Sequence, residues 1–507
     1  MGYFCILYPK KMKIMRNKFI QTSIWFAFMA IIAAFPATAT DTDRFSRIIE
    51  NCEKRHGCII SMLAVNMRGD TIAQRNSTYS MIPASVTKTV TTALALKELG
   101  PDFRFETSIA YSGHIDSTGI LHGDIYIVGG ADPTLASTLP EQDSVFNIWH
   151  RAVKAAGIDS IAGSVIGDDR FFPDEAAAGS WELGDLGTYY GSGASGLSFH
   201  ENYISLRITP SEHPEGRPDI EQLFPRTPWM EIENLAVTGR RKSGNSLYML
   251  ASEIEPVSQL RGSYPIDGGT SIEKCSNKYP AMTCAYHFDK YLGSHGINSA
   301  FGAMDTRRFT TRAAYGFQDR DSLTYIVTTY SAPLSYIVSK TNKESNNLYA
   351  ETLFKMTGKA VSGSATYDAS CKAAEKLLKG MGLETAGYKQ VDGSGLSRQN
   401  LMSPAFLCRF LKTTAKAPYG KTFIESLPVS GKEGTLKYVL RETDRGQSSR
   451  IRAKSGSMSG VKCYAGYILG DTPEDMIVFA IMSNNNAGKN SGVQDTLETL
   501  MELLLWQ

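Results

Sequence analysis

Three apolar runs of strand length follow one another near the end of the chain: SSRIRAKSG from 448, GVKCYAGYILG from 460 and MIVFAIMS from 476. The first alternates polar and apolar residues, and the turn residues Asp471 to Asp475 separate the second from the third. Runs joined this closely predict an antiparallel meander. The final segment, SGVQDTLETLMELLLWQ, places Val493, Leu497, Leu500, Met501 and Leu504 on one side of a helix. Near the other end, IISMLAVNMRGDTIAQRN reads as two strands around Arg68-Gly69-Asp70, and these are expected to join the late strands. The expected fold class is α+β, an antiparallel sheet with helices whose core is split in sequence.

A chain of 507 residues exceeds what one core needs and predicts two to four domains. Residues 40–107 read as the first part of the core. From 108 to 280 the texture turns to short strands broken by glycines and Asp-Pro, as in LHGDIYIVGGADPTL, with little that looks like a long helix. This stretch is expected to hold one or two inserted domains. Residues 281–507 return to helices and then the meander.

Lys10, Lys11, Lys13, Arg16 and Lys18 precede the apolar run SIWFAFMAIIAAF and the small residues Ala37-Thr38-Ala39. That order predicts a secretory signal peptide over 1–39. The run is about 13 residues, short of the roughly 20 that span a bilayer, so no membrane anchor is expected after processing. Losing five positive charges takes the formal charge from +2 to −3. Without a basic block, nucleic acid is not an expected partner. Cys52 with Cys58, and Cys275 with Cys284, flank short loops and are candidates for local disulfides in an oxidising compartment. Cys371, Cys408 and Cys463 read as buried free thiols, and no cysteine spacing is a zinc pattern.

Three short motifs bear on chemistry. In PASVTKTVTTALALKELG, Ser85 and Lys88 stand three apart at a helix start, so they share a face. A serine nucleophile needs a base in reach, and a lysine serves only if burial or nearby charge lowers its pKa. A serine before a helical run is also an ordinary N-cap. Ser345-Asn346-Asn347 offers a hydroxyl to relay a proton and an amide to hold a lysine or carbonyl; it could equally be a polar cap. Lys454-Ser455-Gly456 could bind a carboxylate, with Gly456 removing a side chain that would block a substrate lying along the strand; Ser-Gly is also a common turn pair. Each is weak alone. Together, in the order SxxK, SxN, K[ST]G, they form the signature of serine acylases of the penicillin-binding and β-lactamase type. The 256 residues between Lys88 and Ser345 match the inserted stretch.

With these motifs, HGDIYIVGGADPTL at 122–135, YGSGASGLSFHEN at 190–202, VDGSGLSRQN at 391–400, SLPVSGKEGTL at 426–436 and AKSGSMSGVKCYAGY at 453–467 carry a resemblance. The chain resembles the D-alanyl-D-alanine carboxypeptidase/endopeptidase family, the class C low-molecular-mass penicillin-binding proteins of peptidase family S13. The resemblance runs from about residue 45 to the C-terminus. It implies a transpeptidase-like core with two nested insertions, cleavage of peptidoglycan stem peptides in the periplasm through an acyl-enzyme, inhibition by β-lactams, and no metal or other cofactor. It also implies roles: Ser85 as nucleophile, Lys88 as general base, Ser345 as proton relay helped by Lys454, and Asn347 as a hold on Lys88 and substrate. Lys454 and Ser455 would grip the terminal carboxylate, and the backbone N–H groups of Ser85 and Ser457 would form the oxyanion hole. Asp392, Gly393 and Ser394 either shape the cleft or form a structural turn. Asp185 is a candidate reader of the diamino acid side chain. The family usually has Lys-Thr-Gly at 454–456 and a third glycine at Ala131. A β-lactamase, or a non-catalytic envelope binding protein, would share parts of this pattern. The first would release penicillin rapidly and the second would take no covalent label.

N-terminal sequencing of the exported protein is expected to give a start near Thr40; an intact leader in a membrane pellet would refute the cleavage site.

Overall fold

The computed structural model describes residues 41–137, 139–309 and 316–507; the leader expected over 1–39 lies outside them. The core sheet has five antiparallel strands in the order Thr71–Arg75, Ile59–Asn66, Ile477–Asn484, Val461–Ile468, Ile451–Met458. The meander is present as expected, and the early hairpin joins it through Ile59–Asn66. Every residue of the central strand, IVFAIMSN, is buried, because helices cover both faces. Phe479 and Ile481 face a cluster with Phe45 and Ile49 of helix Asp41–His56 and with Leu497 and Leu500 of helix Asn490–Leu504. Val478, Ala480 and Met482 face the other way, into the cluster of Val90, Leu94, Leu353 and Phe406. This is the two-residue period of a strand with two dry faces.

Helix Thr87–Leu99 runs through that second cluster and is buried from Thr87 to Leu96. Gly100 ends it, with φ 83° and its N–H on the Leu96 carbonyl at 3.1 Å. Helices Leu334–Glu344 and Asn347–Ser362 pack beside it.

The chain leaves the core into a second five-stranded sheet. Its order is Ala303–Asp305, Val165–Asp168, Ile125–Gly129, Glu106–Tyr111, Thr324–Tyr330, with parallel pairing around Val165–Asp168 and antiparallel pairing elsewhere. Helix Leu139–Ala155 corrects the expectation of no long helix between 108 and 280, and a further helix, Pro280–Ser294, follows it. Phe146, Trp149 and Val153, spaced at helical intervals, bury themselves with Phe288. Smaller sheets from Tyr203–Thr209 through Ser271–Ser276 enclose their own cluster of Ile204, Leu206, Met249 and Leu260. The expected boundary at 280 falls on the first residue of a helix whose Ala281, Cys284 and Phe288 pack with Ile127 and Val165. We propose that the insertion spans 106–330, with 203–276 nested in it.

The seven described cysteines are free thiols. Cys275 and Cys284 belong to different apolar clusters, which explains why the short loop between them does not bring them together. Cys52 and Cys58 share one cluster without a bond; the Cys58 thiol points to the Cys52 carbonyl at 4.0 Å. Cys408 and Cys463 are buried as expected, and Cys371 is half-buried.

Ala131 has φ 67°, is fully buried and donates its N–H to the Gly196 carbonyl at 2.8 Å. An L-residue pays about 1–2 kcal/mol in the left-handed region, which accounts for a glycine there being usual in the family it resembles. Ala131→Gly is expected to raise stability by about 1 kcal/mol, read as a higher urea midpoint with an unchanged slope.

Candidate functional site

Ser85 lies in the short 3₁₀ turn Ala84–Val86, which leads directly into helix Thr87–Leu99. Ala84 is left-handed, φ 46°. The turn is pressed between two glycines. A Cβ on Gly395 would sit 1.9 Å from the Ala84 carbonyl oxygen, and one on Gly456 would sit 2.4 Å from that of Pro83. The missing side chain of Gly456 thus makes room for the Pro83–Val86 turn against the strand, and a Cβ there would also lie 3.1 Å from the Ser85 N–H nitrogen.

Lys88 is fully buried. Its Nζ is 2.9 Å from Ser85 Oγ, 2.6 Å from Asn347 Oδ1 and 2.8 Å from the carbonyl oxygen of Ser394. The structure thus joins the first two sequence motifs with the 391–400 loop, which is more than a turn. Burial pushes the Lys88 pKa down to about 7, against the opposing pull of the Glu351 and Asp392 charges. A lysine so placed can take the serine proton near neutral pH.

The loop itself is held by two buried carboxyls. Glu351 accepts the N–H groups of Gly393 at 2.8 Å and Ser394 at 2.7 Å. Asp392 accepts from the N–H groups of Gly395 and Ser397, Asn400 Nδ2 and Trp181 Nε1. Burial raises the pKa of both, and their nearness to each other adds to the rise for Glu351. Glu351 escaped the sequence reading. It stands four residues after Asn347 on the same helix face, and an acid on a buried face needs a partner.

Ser345 sits between helices Leu334–Glu344 and Asn347–Ser362 with φ 60°, and this left-handed residue turns the chain so that Ser345 and Asn347 both line the cleft. Asn347 Nδ2 donates to the Tyr190 carbonyl at 2.9 Å, a contact from the insertion. Asn346 caps the second helix by accepting from the Tyr349 N–H at 3.1 Å.

On strand Ile451–Met458, Lys454 and Gly456 are buried while Ser455 and Ser457 lie on the more open face. Lys454 Nζ donates to the Ser455 carbonyl at 2.8 Å, and burial together with the neighbouring Lys88 charge pushes its pKa well down. Ser455 Oγ donates to Thr435 Oγ1 at 2.8 Å. Thr435 lies in the stretch 426–436, where nothing in the neighbouring residues points to the site; only the fold brings it to Ser455. Ser457 lines the cleft beside Ser85. The cleft has a volume of about 510 Å³, and Glu182, Asp185, Tyr190 and Arg398 also form its walls.

A serine against a buried lysine, braced by an SxN turn and a lysine strand over a polar cleft, defines a serine acyl-transfer site. The chain matches the D-Ala-D-Ala carboxypeptidase 3 (S13) family over residues 49–504, and it belongs to that family. It is 29% identical over 493 residues to a D-alanyl-D-alanine carboxypeptidase of an Actinomadura species, covering 92% of this chain and 87% of the relative. It is 22% identical over 446 residues to the D-alanyl-D-alanine carboxypeptidase DacB of Haemophilus influenzae, covering 85% and 87%. The crystal structure of penicillin binding protein 4 from Haemophilus influenzae superimposes with a TM-score of 0.77 at 20% identity, over 90% of this chain and 99% of that one. The expected fold, a transpeptidase-like α+β core with strand-rich insertions, is the fold of that structure.

Gly456→Val is expected to abolish acylation by penicillin, because its side chain must displace the Pro83–Val86 turn. Intact-mass spectrometry after incubation with penicillin checks this; a full adduct would show that the turn can yield.

Proposed function

We propose that the protein is a penicillin-sensitive serine D-alanyl-D-alanine carboxypeptidase, with endopeptidase action on cross-linked stem peptides, working on peptidoglycan in the periplasm. The observation that carries this reading is the buried Lys88 Nζ 2.9 Å from Ser85 Oγ, in a chain of the S13 family. Among the described residues no helix is long and apolar enough to cross a membrane.

In the proposed reaction Ser85 Oγ attacks the carbonyl of the penultimate D-alanine while neutral Lys88 accepts its proton. The N-terminus of helix Thr87–Leu99 favours the negative charge that develops there. The backbone N–H groups of Ser85 and Ser457 hold the tetrahedral oxyanion. Ser345 passes a proton to the leaving amine, helped by Lys454. Lys454 and Ser455, with Thr435 behind Ser455, hold the terminal carboxylate. Asn347 keeps Lys88 in place. Water then releases the acyl group. Asp185, which lines the cleft with Glu182, takes the side-chain amine of the diamino acid.

Ser85→Ala is expected to lose the penicillin adduct and the release of D-alanine from muropeptides, both read by mass spectrometry. An adduct on that variant would place the nucleophile elsewhere, and fast turnover of penicillin by the unaltered protein would favour a β-lactamase. Acylation should rise with pH through about 7 as Lys88 loses its proton and becomes a base; a rate flat from pH 5 to 9 would exclude Lys88 as that base. Asp185→Asn should slow hydrolysis of muropeptides by about tenfold or more, the value of a lost charged hydrogen bond, while penicillin, which lacks the diamino acid, still acylates Ser85 at the unaltered rate.

A further inference from the structure

Across the Glu344–Asn347 turn from the cleft lies a second groove of about 470 Å³. Glu344 borders both cavities. The insertion supplies one wall, with Asp132, Glu201, Tyr203 and Lys274, and helix Leu334–Glu344 supplies the other, with Tyr336 and Lys340. We propose that this groove binds the glycan strand of the substrate, as an accessory site beside the one that cuts the peptide. The proposal rests on the reading above that the substrate is peptidoglycan.

The chemistry of the lining selects the ligand class. Its charged groups already have partners within the protein, Asp132 among them through the Thr134 N–H and hydroxyl. Lys340 Nζ pairs with Glu344 at 2.6 Å, Lys274 Nζ lies 4.1 Å from the centre of the Tyr203 ring, and Glu201 accepts a hydrogen bond from Tyr349 OH at 2.7 Å. A strongly charged peptide would gain little from groups so paired. Aromatic surface remains available, whereas the hydroxyls of Thr134, Thr329 and Ser331 already donate to Asp132 Oδ1, the Thr107 carbonyl and the Ala332 carbonyl and can only accept from a ligand. Tyr330 is 61% exposed and Tyr336 51%, each lining the groove, with Lys340 Nζ 5.9 Å from the centre of the Tyr336 ring. Thr134, Ser137, Thr329 and Ser331 line it too. Flat rings offered to solvent beside neutral hydrogen-bonding groups suit a pyranose, which has an apolar face and a rim of hydroxyl and acetamido groups.

The groove is also tied to the catalytic turn. His200, Glu201 and Asn202 all have φ between 51° and 52°. Three consecutive residues other than glycine in the left-handed region are costly and persist only where the surroundings hold them. The result is a Glu201 carboxyl aimed at the turn, where it accepts from Tyr349 OH and, at 3.4 Å, from Asn346 Nδ2. A glycan seated in the groove therefore lies against the same short segment that carries Ser345 and Asn347.

The test uses the mature protein and peptide-free glycan strands prepared by amidase treatment of cell wall, with binding followed by calorimetry. The variants are Tyr330→Ala, Tyr336→Ala and the double substitution. Free strands should bind the unaltered protein, and each single substitution should weaken binding roughly tenfold, the scale of a lost aromatic stacking contact. Hydrolysis of a short peptide ending in D-Ala-D-Ala and acylation by penicillin should be unchanged in all three variants, which also shows that their sites are folded. Absence of glycan binding, or equal binding by the double variant, overturns the proposal. So does displacement of the glycan by free stem peptide, since it would make the groove a peptide site. Failure of the unaltered protein to hydrolyse the short peptide would instead overturn the function proposed above, and the glycan measurement would still be readable.

Discussion

The Lys88 amine, out of reach of water, is the constraint around which the rest of the site is arranged. A buried cation is tolerated only where hydrogen-bond acceptors and opposite charge replace its hydration. Here the acceptors come from three places in the chain: Ser85 on the same turn, Asn347 259 positions away and the Ser394 carbonyl 306 positions away. The opposing charge comes from Glu351 and Asp392, which also hold the loop that carries the Ser394 carbonyl. A single amine thus requires a helix start, a helix–helix turn and a glycine-rich loop to meet. The same burial that makes the amine costly brings its pKa near 7 and makes it useful as a base.

The insertion takes part in this arrangement. Trp181 donates to Asp392, the Tyr190 carbonyl accepts from Asn347, and Glu201 accepts from Tyr349 and Asn346. Phe172, Trp181 and Ala194 of the insertion pack in the same apolar cluster as the buried helix that follows Ser85. The core and its insertion are therefore joined by apolar packing and by directional bonds to the catalytic turn. A long detour in sequence returns to the site three times, and it builds walls for both the cleft and the second groove.

Strain marks the places where these elements meet. Ala84, Ser345 and the run His200 to Asn202 are left-handed without being glycine, and each stands beside the cleft or at the groove next to it. Such conformations persist only where the surroundings over-determine them. For Ala84 the surroundings are the strand at Gly456 and the loop at Gly395, each too close for a side chain. For Ser345 they are the two helices that it joins.

The meander, the split core, the buried helix after Ser85 and the order of the three motifs are legible in the residues alone. Each of these is local: a strand's two-residue period, a helix's shared face at i and i+3, and a turn are set by neighbours along the chain. The sequence also carried the signal for helix Leu139–Ala155 in the spacing of Phe146, Trp149 and Val153, although the turn-rich residues around it hid the pattern. Tertiary structure alone decided which groups meet. Glu351 and Thr435 belong to ordinary-looking segments until folding brings them to Ser394 and Ser455. That a side chain at Gly456 would press on the Pro83–Val86 turn follows only from the fold. Cys275 and Cys284, close in sequence, point into separate cores. Burial and long-range hydrogen bonds depend on the whole packing, and no short window of residues contains them.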